Sequence, residues 1–216
     1  MIVEGNYVRD GHALLRGFVP PEICSAFLNQ VGSDVESRGQ KLTDLAQGSA
    51  LLKRDAVELY GYHYPPMLGF LWGLTPAISS IVGRDLLPTY DYFRIYREGD
   101  ICRVHSDRPS CEVSLSLTLD YSDGVPWPIE MGLDPVAPQP LVEETFAGAR
   151  YKPVEMMPGD AVLYQGVHRR HGRMTPNPNL WSAHLFCHWV DRNGPFASTA
   201  FDGNMAMTRP ANFSFR

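Results

Sequence analysis

Apolar and polar side chains alternate most regularly over residues 111–120 (CEVSLSLTLD), where Cys111, Val113, Leu115, Leu117 and Leu119 point one way and Glu112, Ser114, Ser116, Thr118 and Asp120 the other. A period of two is that of a β-strand with one buried face. Runs of similar character predict strands over 89–97, 151–156, 161–165 and 181–190, so the second half of the chain reads as mostly β. The first half has another rhythm. Over 64–83, Met67, Leu68, Leu71, Leu74, Ile78, Ile81 and Val82 recur at steps of three and four, which predicts an amphipathic helix lying on a sheet. A second helix is expected from Pro20 and Pro21, which suit a first helical turn, with Ile23, Phe27, Leu28 and Val31 as its apolar face. Residues 7–18 read as a hairpin turning at Asp10-Gly11. Residues 32–60 are polar and carry Gly32, Gly39 and Gly48, which predicts a loop or lid with a short helix over 50–60. The proline- and glycine-rich stretch 122–140, with Pro126-Trp127-Pro128, reads as a loop over one end of the sheet. The expected architecture is α+β, a jelly-roll double sheet behind amino-terminal helices. One domain is expected over 1–216: a helical support layer and lid region (1–87), a jelly-roll core (88–191) and a tail (192–216).

Composition narrows the partners. With 216 residues, 44% of them hydrophobic, the chain can bury a core. Nineteen Lys and Arg against twenty-four Asp and Glu leave a net charge of −5, so no broad basic field is available for a nucleic acid backbone. The segment 64–83 is long enough for a bilayer, but its three prolines argue against a span. The four cysteines, Cys24, Cys102, Cys111 and Cys187, show no C-x-x-C spacing and read as buried thiols. The amino terminus lacks the apolar run of a signal peptide, and a cytoplasmic protein is expected. The oligomeric state is left open.

Candidate chemistry begins at His105-Ser106-Asp107, whose outer residues share one face of an extended segment and can share a metal. Much later, Gly159-Asp160-Ala161-Val162-Leu163-Tyr164 leads into His168-Arg169-Arg170-His171, which offers a further ligand. Two imidazoles and a carboxylate on a rigid sheet leave three positions of an octahedral iron open. The same set also suits zinc.

Tyr96-Arg97-Glu98-Gly99, then five residues, then H-x-D, then the G-D-A-V-L-Y turn and distal histidine, resembles the prolyl-4-hydroxylase-like branch of the iron(II)/2-oxoglutarate-dependent oxygenases. The run His105 to Glu112 (HSDRPSCE) and the ending His188 to Asp191 are similar to a bacterial subgroup of it. The resemblance covers about half of the chain, roughly 89–191. It implies a double-stranded β-helix, Fe(II), 2-oxoglutarate as cosubstrate, O2, and hydroxylation of an unactivated C–H in an amino acid, peptide or other small molecule. It implies His105, Asp107 and a distal histidine as metal ligands and Tyr96 as a cosubstrate contact. In the subgroup's Y-x-G-x-E-x-x-H-x-R pattern, Tyr164 and Gly166 put His171 at the ligand, with His168 as the alternative. Retention of Asp107 argues against a halogenase.

One departure stands out. The family anchors the far carboxylate of 2-oxoglutarate with a basic residue about ten positions past the distal histidine, and 174–191 has no Arg or Lys. Arg173 or Arg94 is then the candidate anchor. Tyr92, Arg94 and Tyr96 share a strand face, either toward the pocket or as a surface stripe. Arg108, Tyr92 and Trp127 are candidate substrate contacts, while Glu112 beside the motif contacts substrate or forms an ion pair. His184 and His188 share a face of the last strand and read as core side chains or as supports beside the metal ligands rather than a second metal site, since no carboxylate or cysteine accompanies them at suitable spacing. Tyr60, Tyr62, His63 and Tyr64 either line an entrance or hold a loop against the sheet. Two rival readings stand beside the oxygenase: a catalytically inactive jelly-roll binding module, and a cupin-like or zinc enzyme with the same ligands.

Overall fold

Gly11, at φ 77°, closes a single helical turn, α1 (Tyr7–Asp10), between the antiparallel strands β1 (Ile2–Asn6) and β2 (His12–Arg16). These elements belong to a computed structural model, which describes residues 1–213. The hairpin thus lies earlier than 7–18. Asn6 caps the turn by accepting from the Arg9 N–H at 2.8 Å, which winds residues 7–10 instead of extending them.

Pro21 opens α2 (Pro21–Ser37), as expected, but the helix continues beyond the apolar run predicted for it. Cys24, Phe27, Val31 and Val35 form its buried face, and Ile23 is exposed. Val35 supplies one more apolar turn past Gly32, which carries the helix into the segment read as loop. A short 3₁₀ turn (Leu42–Leu45) and the two-residue strand β3 (Ala46–Gln47) lead to β4 (Ala56–Tyr60). The helix expected over 50–60 is therefore a strand. Val57 and Leu59 pack toward the helices while Glu58 and Tyr60 face the opposite way, a period of two that five residues show too briefly to be read alone. The expected helix over 64–83 is α3 (Pro66–Val82), ended by Gly83 at φ 72°.

The remaining strands are β5 (Leu86–Arg97), β6 (Cys102–Ser106), β7 (Val113–Tyr121), β8 (Ile129–Pro135), β9 (Leu141–Glu143), β10 (Tyr151–Val154), β11 (Ala161–Tyr164), β12 (Arg169–Arg173) and β13 (Trp181–Asp191). They form two sheets, ordered β1-β2-β11-β7-β13-β5-β4-β3 and β10-β8-β12-β6-β9. The larger sheet packs its outer face on α2 and α3 through Phe93, Val113, Leu115, Leu117, Leu163 and Leu185, together with helix residues such as Phe27, Met67 and Ile78. The fold is the α+β jelly roll expected. Residues 1–87 contribute four strands to it besides their helices, and the loop expected over 122–140 contains β8. No helix among the described residues is long and apolar enough to cross a membrane. All four cysteines are free and buried.

The alternation in β7 carries a second message. Ser114, Ser116 and Thr118 are as fully buried as the leucines between them, because the smaller sheet covers their face. The expectation of one buried face fails for a physical reason: in a closed double sheet the polar face lines the interior. That interior holds the candidate site.

Asp91, on the helix-facing side of β5, is completely buried, and neither carboxylate oxygen has a hydrogen-bond partner. Burial raises its pKa from the usual carboxylate range to about 7. The folded state then holds a proton that the unfolded chain releases, so the stability contributed by neutral Asp91 is fully present below about pH 4 and is lost as pH rises through about 7. Asp91→Asn is expected to stabilise the protein above pH 7, by up to ~4 kcal/mol, and to change little near pH 4. Urea unfolding at the two pH values measures this; equal effects at both would refute it.

Candidate active site

His105 on β6 and His171 on β12 face each other in antiparallel register, and Asp107 follows directly from β6. His105 Nε2 lies 3.6 Å and His171 Nε2 3.7 Å from Asp107 Oδ1. The three donor atoms fall within 4.8 Å of one another. Each imidazole donates from Nδ1 to a carbonyl two residues earlier, His105 to Arg103 O at 2.8 Å and His171 to Arg169 O at 3.0 Å. Those bonds place the proton on Nδ1 and leave both Nε2 lone pairs directed at the shared centre. Asp107 is held through its N–H to Gly166 O at 2.9 Å and through Oδ2, which accepts from Ser114 Oγ at 3.2 Å. A Cβ on Gly166 would come within 2.3 Å of Asp107 Oδ2 and 2.5 Å of Ser114 Oγ, so only glycine admits the carboxylate here.

The electrostatics suit a cation. Burial disfavours charge throughout the cluster; burial and the neighbouring His105 hold His171 down to about 4. Burial works the same way on His105, but the Cys102 thiol and Asp107 outweigh it and raise its pKa to about 9. Burial would also raise the Asp107 carboxyl, yet His171 and His105 hold it below its usual range. A divalent metal would replace the proton on His105 as the positive charge facing Asp107.

His168 lies outside this group, on the turn before β12, with Nδ1 directed at Val136 O at 3.3 Å. The structure thus brings His171, not His168, to His105 and Asp107.

The three donors line a cavity of ≈ 380 Å³ together with Tyr92, Arg94, Tyr96, Arg108 and Arg173. Tyr92, Arg94 and Tyr96 face inward, so the surface-stripe alternative fails. Arg94 bonds Tyr96 Oη at 3.0 Å and forms a buried ion pair with Glu58 of β4. Arg173 shares the inward face of β12 with His171, is buried, donates to Trp127 O, and reaches His184 Nδ1 at 3.4 Å. Among the described residues no carboxylate bonds it. Trp127 is fully buried behind the cavity wall, its ring edge-on to Tyr96 and under Arg173. It is not among the residues lining the cavity. Arg108 stands over the Tyr90 ring and pairs with Asp202 at 3.0 Å. Glu112 pairs instead with Arg84 and accepts the Asp191 N–H.

Of the tyrosine cluster, Tyr60 lines the cavity, Tyr62 stacks on it from outside, and Tyr64 is buried against Asp34. Both loops singled out from sequence reach the cavity, through Ser49 and Leu51 and through Ile129 and Pro140. Sequence reasoning missed Glu58 and Ser114. Of the two alternatives read for His188, core or a side chain beside the metal ligands, the structure shows the second: His188 lines the cavity and lies within 4.8 Å of donor atoms on Asp107 and Cys111. Serines on the polar side of a strand flanked by buried residues were the available signal for Ser114.

No family model matches the sequence, and no curated protein matches it. Solved structures do. A Pseudomonas putida prolyl-4-hydroxylase is 18% identical with a TM-score of 0.58, covering 87% of this chain and 96% of that one. The non-haem α-ketoglutarate-dependent carbocyclase SnoK from nogalamycin biosynthesis is 9% identical with a TM-score of 0.66, over 86% and 81%. EctD from S. alaskensis with bound Fe is 13% identical with a TM-score of 0.58, over 88% and 77%. The chain has the fold of these oxygenases.

The geometry separates the two histidines experimentally. His171→Ala, His105→Ala or Asp107→Ala is expected to weaken binding of a divalent metal at least a hundredfold by isothermal titration, and His168→Ala to leave it within about threefold. Loss on His168→Ala with retention on His171→Ala would reverse the assignment.

Proposed function

We propose that this protein is a mononuclear non-haem iron(II)/2-oxoglutarate-dependent dioxygenase that hydroxylates a C–H bond of a small molecule or peptide. The observation that carries this reading is a conjunction in one cavity. Two imidazole Nε2 atoms and a carboxylate converge, and a buried guanidinium lies one strand step away without a carboxylate partner. The donor set fits Fe(II), leaving open positions for other ligands. The guanidinium fits a dicarboxylate. Glu130 lies close enough to act on Arg173 electrostatically but does not bond it, so the guanidinium keeps donors for a bound carboxylate. Fe(II) held by His105, Asp107 and His171 would supply, with O2 and 2-oxoglutarate, the oxidising power for hydroxylation, releasing succinate and CO2.

The chain's own residues supply the rest. Arg103 O and Arg169 O fix the imidazole tautomers, and Ser114 steadies Asp107. Arg173 holds the far carboxylate, filling the role that the missing basic residue of β13 leaves open. Arg94 is already neutralised by Glu58, which makes it a partner for Tyr96 rather than the anchor. The walls formed by Tyr92, Tyr96, Tyr164 and Phe186 exclude water and keep the electrostatics strong.

Conversion of 2-oxoglutarate to succinate tests the reading. It is expected to require Fe(II) and O2. Arg173→Ala is expected to raise the 2-oxoglutarate requirement roughly 10- to 150-fold, the equivalent of about 1.5 to 3 kcal/mol for a charged hydrogen bond. Arg94→Ala should act mainly through Tyr96, with a smaller effect on that requirement. Oxygen-independent turnover with zinc, or an unchanged requirement in Arg173→Ala, would contradict it.

A further inference from the structure

Of the polar side chains lining the cavity that the proposed chemistry does not use, His188 is the one with an unpartnered buried ring nitrogen among the described residues. His188 on β13 is 3% exposed and lines the cavity, and its Nε2 has no hydrogen-bond partner. Its ring is wedged at 4.6 Å from Tyr90 and 6.0 Å from Tyr92, so the side chain cannot turn away. Its other nitrogen, Nδ1, lies 2.9 Å from Ser114 Oγ.

Ser114 decides the tautomer. Its hydroxyl has one hydrogen and three neighbours in reach: Asp107 Oδ2 at 3.2 Å, Cys111 O at 3.2 Å and His188 Nδ1 at 2.9 Å. The two oxygens only accept, and the carboxylate is the strongest acceptor. The hydroxyl hydrogen therefore goes to Asp107, and His188 donates Nδ1–H to Ser114 Oγ. Nε2 is left as a bare lone pair, buried and unpartnered, on a ring that lines the cavity and is tied through Ser114 to the carboxylate of the metal-binding set. A buried acceptor without a donor is costly, and a ligand's donor recovers that cost on binding.

We propose that His188 Nε2 is the substrate-recognition acceptor of this site, selecting compounds that carry an N–H or O–H donor close to the carbon presented to the metal. The preferred substrates are alcohols, amines or amides, and pure hydrocarbons or compounds with only acceptors at that position are rejected. The selectivity is asymmetric in the way a fixed buried acceptor dictates. An analogue without the donor leaves Nε2 unpaired, and one with an oxygen lone pair in its place adds repulsion. The inference rests on the reading of His105, Asp107 and His171 as the metal centre.

The test uses the protein loaded with Mn(II) and 2-oxoglutarate and two nearly isosteric probes, cyclopentanol and cyclopentanone, of which only the alcohol donates. Paramagnetic relaxation of probe protons by Mn(II) reports residence beside the metal. Cyclopentanol is expected to be relaxed at least fivefold more strongly than cyclopentanone at equal concentration. His188→Phe, which keeps a flat ring between Tyr90 and Tyr92, is expected to abolish the difference while leaving Mn(II) affinity within about threefold. Equal relaxation of the two probes in the unmutated protein overturns the proposal without recourse to any variant. So does a preference that survives His188→Phe. Loss of a second equivalent of Mn(II) on that substitution would make His188 a metal ligand, with Asp107 and Cys111, and also overturn it. The metal and cosubstrate readings fail separately: a protein that binds no Mn(II), or whose Mn(II)-bound water is undisturbed by 2-oxoglutarate, refutes them. The alcohol preference is then still read by saturation transfer from the protein to the probes.

Discussion

The pairing of β6 with β12 is the constraint on which the site depends. His105 and His171 are opposite each other in that ladder, and a slip of one residue would turn one imidazole out of the interior. Register is held by features on both sides. Gly166 admits Asp107 against Ser114, and the carbonyls of Arg103 and Arg169 fix the rings. The two histidines thus belong to different parts of the sequence but to one rigid unit. A metal ion would bind to donors already in place.

Around that unit the protein separates its two tasks by sheet face. The outer face of the larger sheet is apolar and packs on α2 and α3, which is where the stabilising burial lies. The inner face is polar and also buried, carrying Ser114, Ser116, Thr118, Arg94, His184 and His188. Such a face is tolerable only when its groups find partners, and most do: Arg94 has Glu58 and Tyr96, and His184 has Thr118 and Arg173. The exceptions are informative. Among the described residues Arg173 has no carboxylate bonded to it and His188 Nε2 lacks a donor, and both line the same cavity as the metal-binding set, whereas the equally unpartnered Ser116 Oγ and His184 Nε2 do not. Asp91 is also unpaired, but on the helix-facing side, where its carboxyl is best accommodated as the neutral acid.

What was legible in the sequence was local. The period of α3 and of β7 was readable because each spans enough residues for its repeat to show, and H-x-D was readable because both ligands sit on one strand edge. The pattern around Tyr164 was enough to favour His171 over His168, in agreement with the geometry. β4, β6 and β12 were not legible as strands. They are short, and the polar residues that break their hydrophobic pattern are those that face the cavity. The burial of the polar side of β7 depends on a second sheet assembled from distant segments. Glu58 as the partner of Arg94, and the burial of Trp127 behind Arg173, are likewise products of topology. His188 could not be told from a core residue because the groups that give it meaning, Ser114 and Asp107, lie more than seventy residues away.

The central claim is that one cavity is preformed for a metal at His105, Asp107 and His171 and for a dicarboxylate at Arg173. Anaerobic titration of the metal-free protein with Fe(II) and 2-oxoglutarate tests it most directly, because bidentate binding of a 2-oxo acid to Fe(II) gives a visible charge-transfer absorption. The account predicts a band that requires both components and that, in Arg173→Ala, appears only at much higher 2-oxoglutarate. Fe(II) binding with no band at saturating 2-oxoglutarate, or a band insensitive to Arg173, would contradict it.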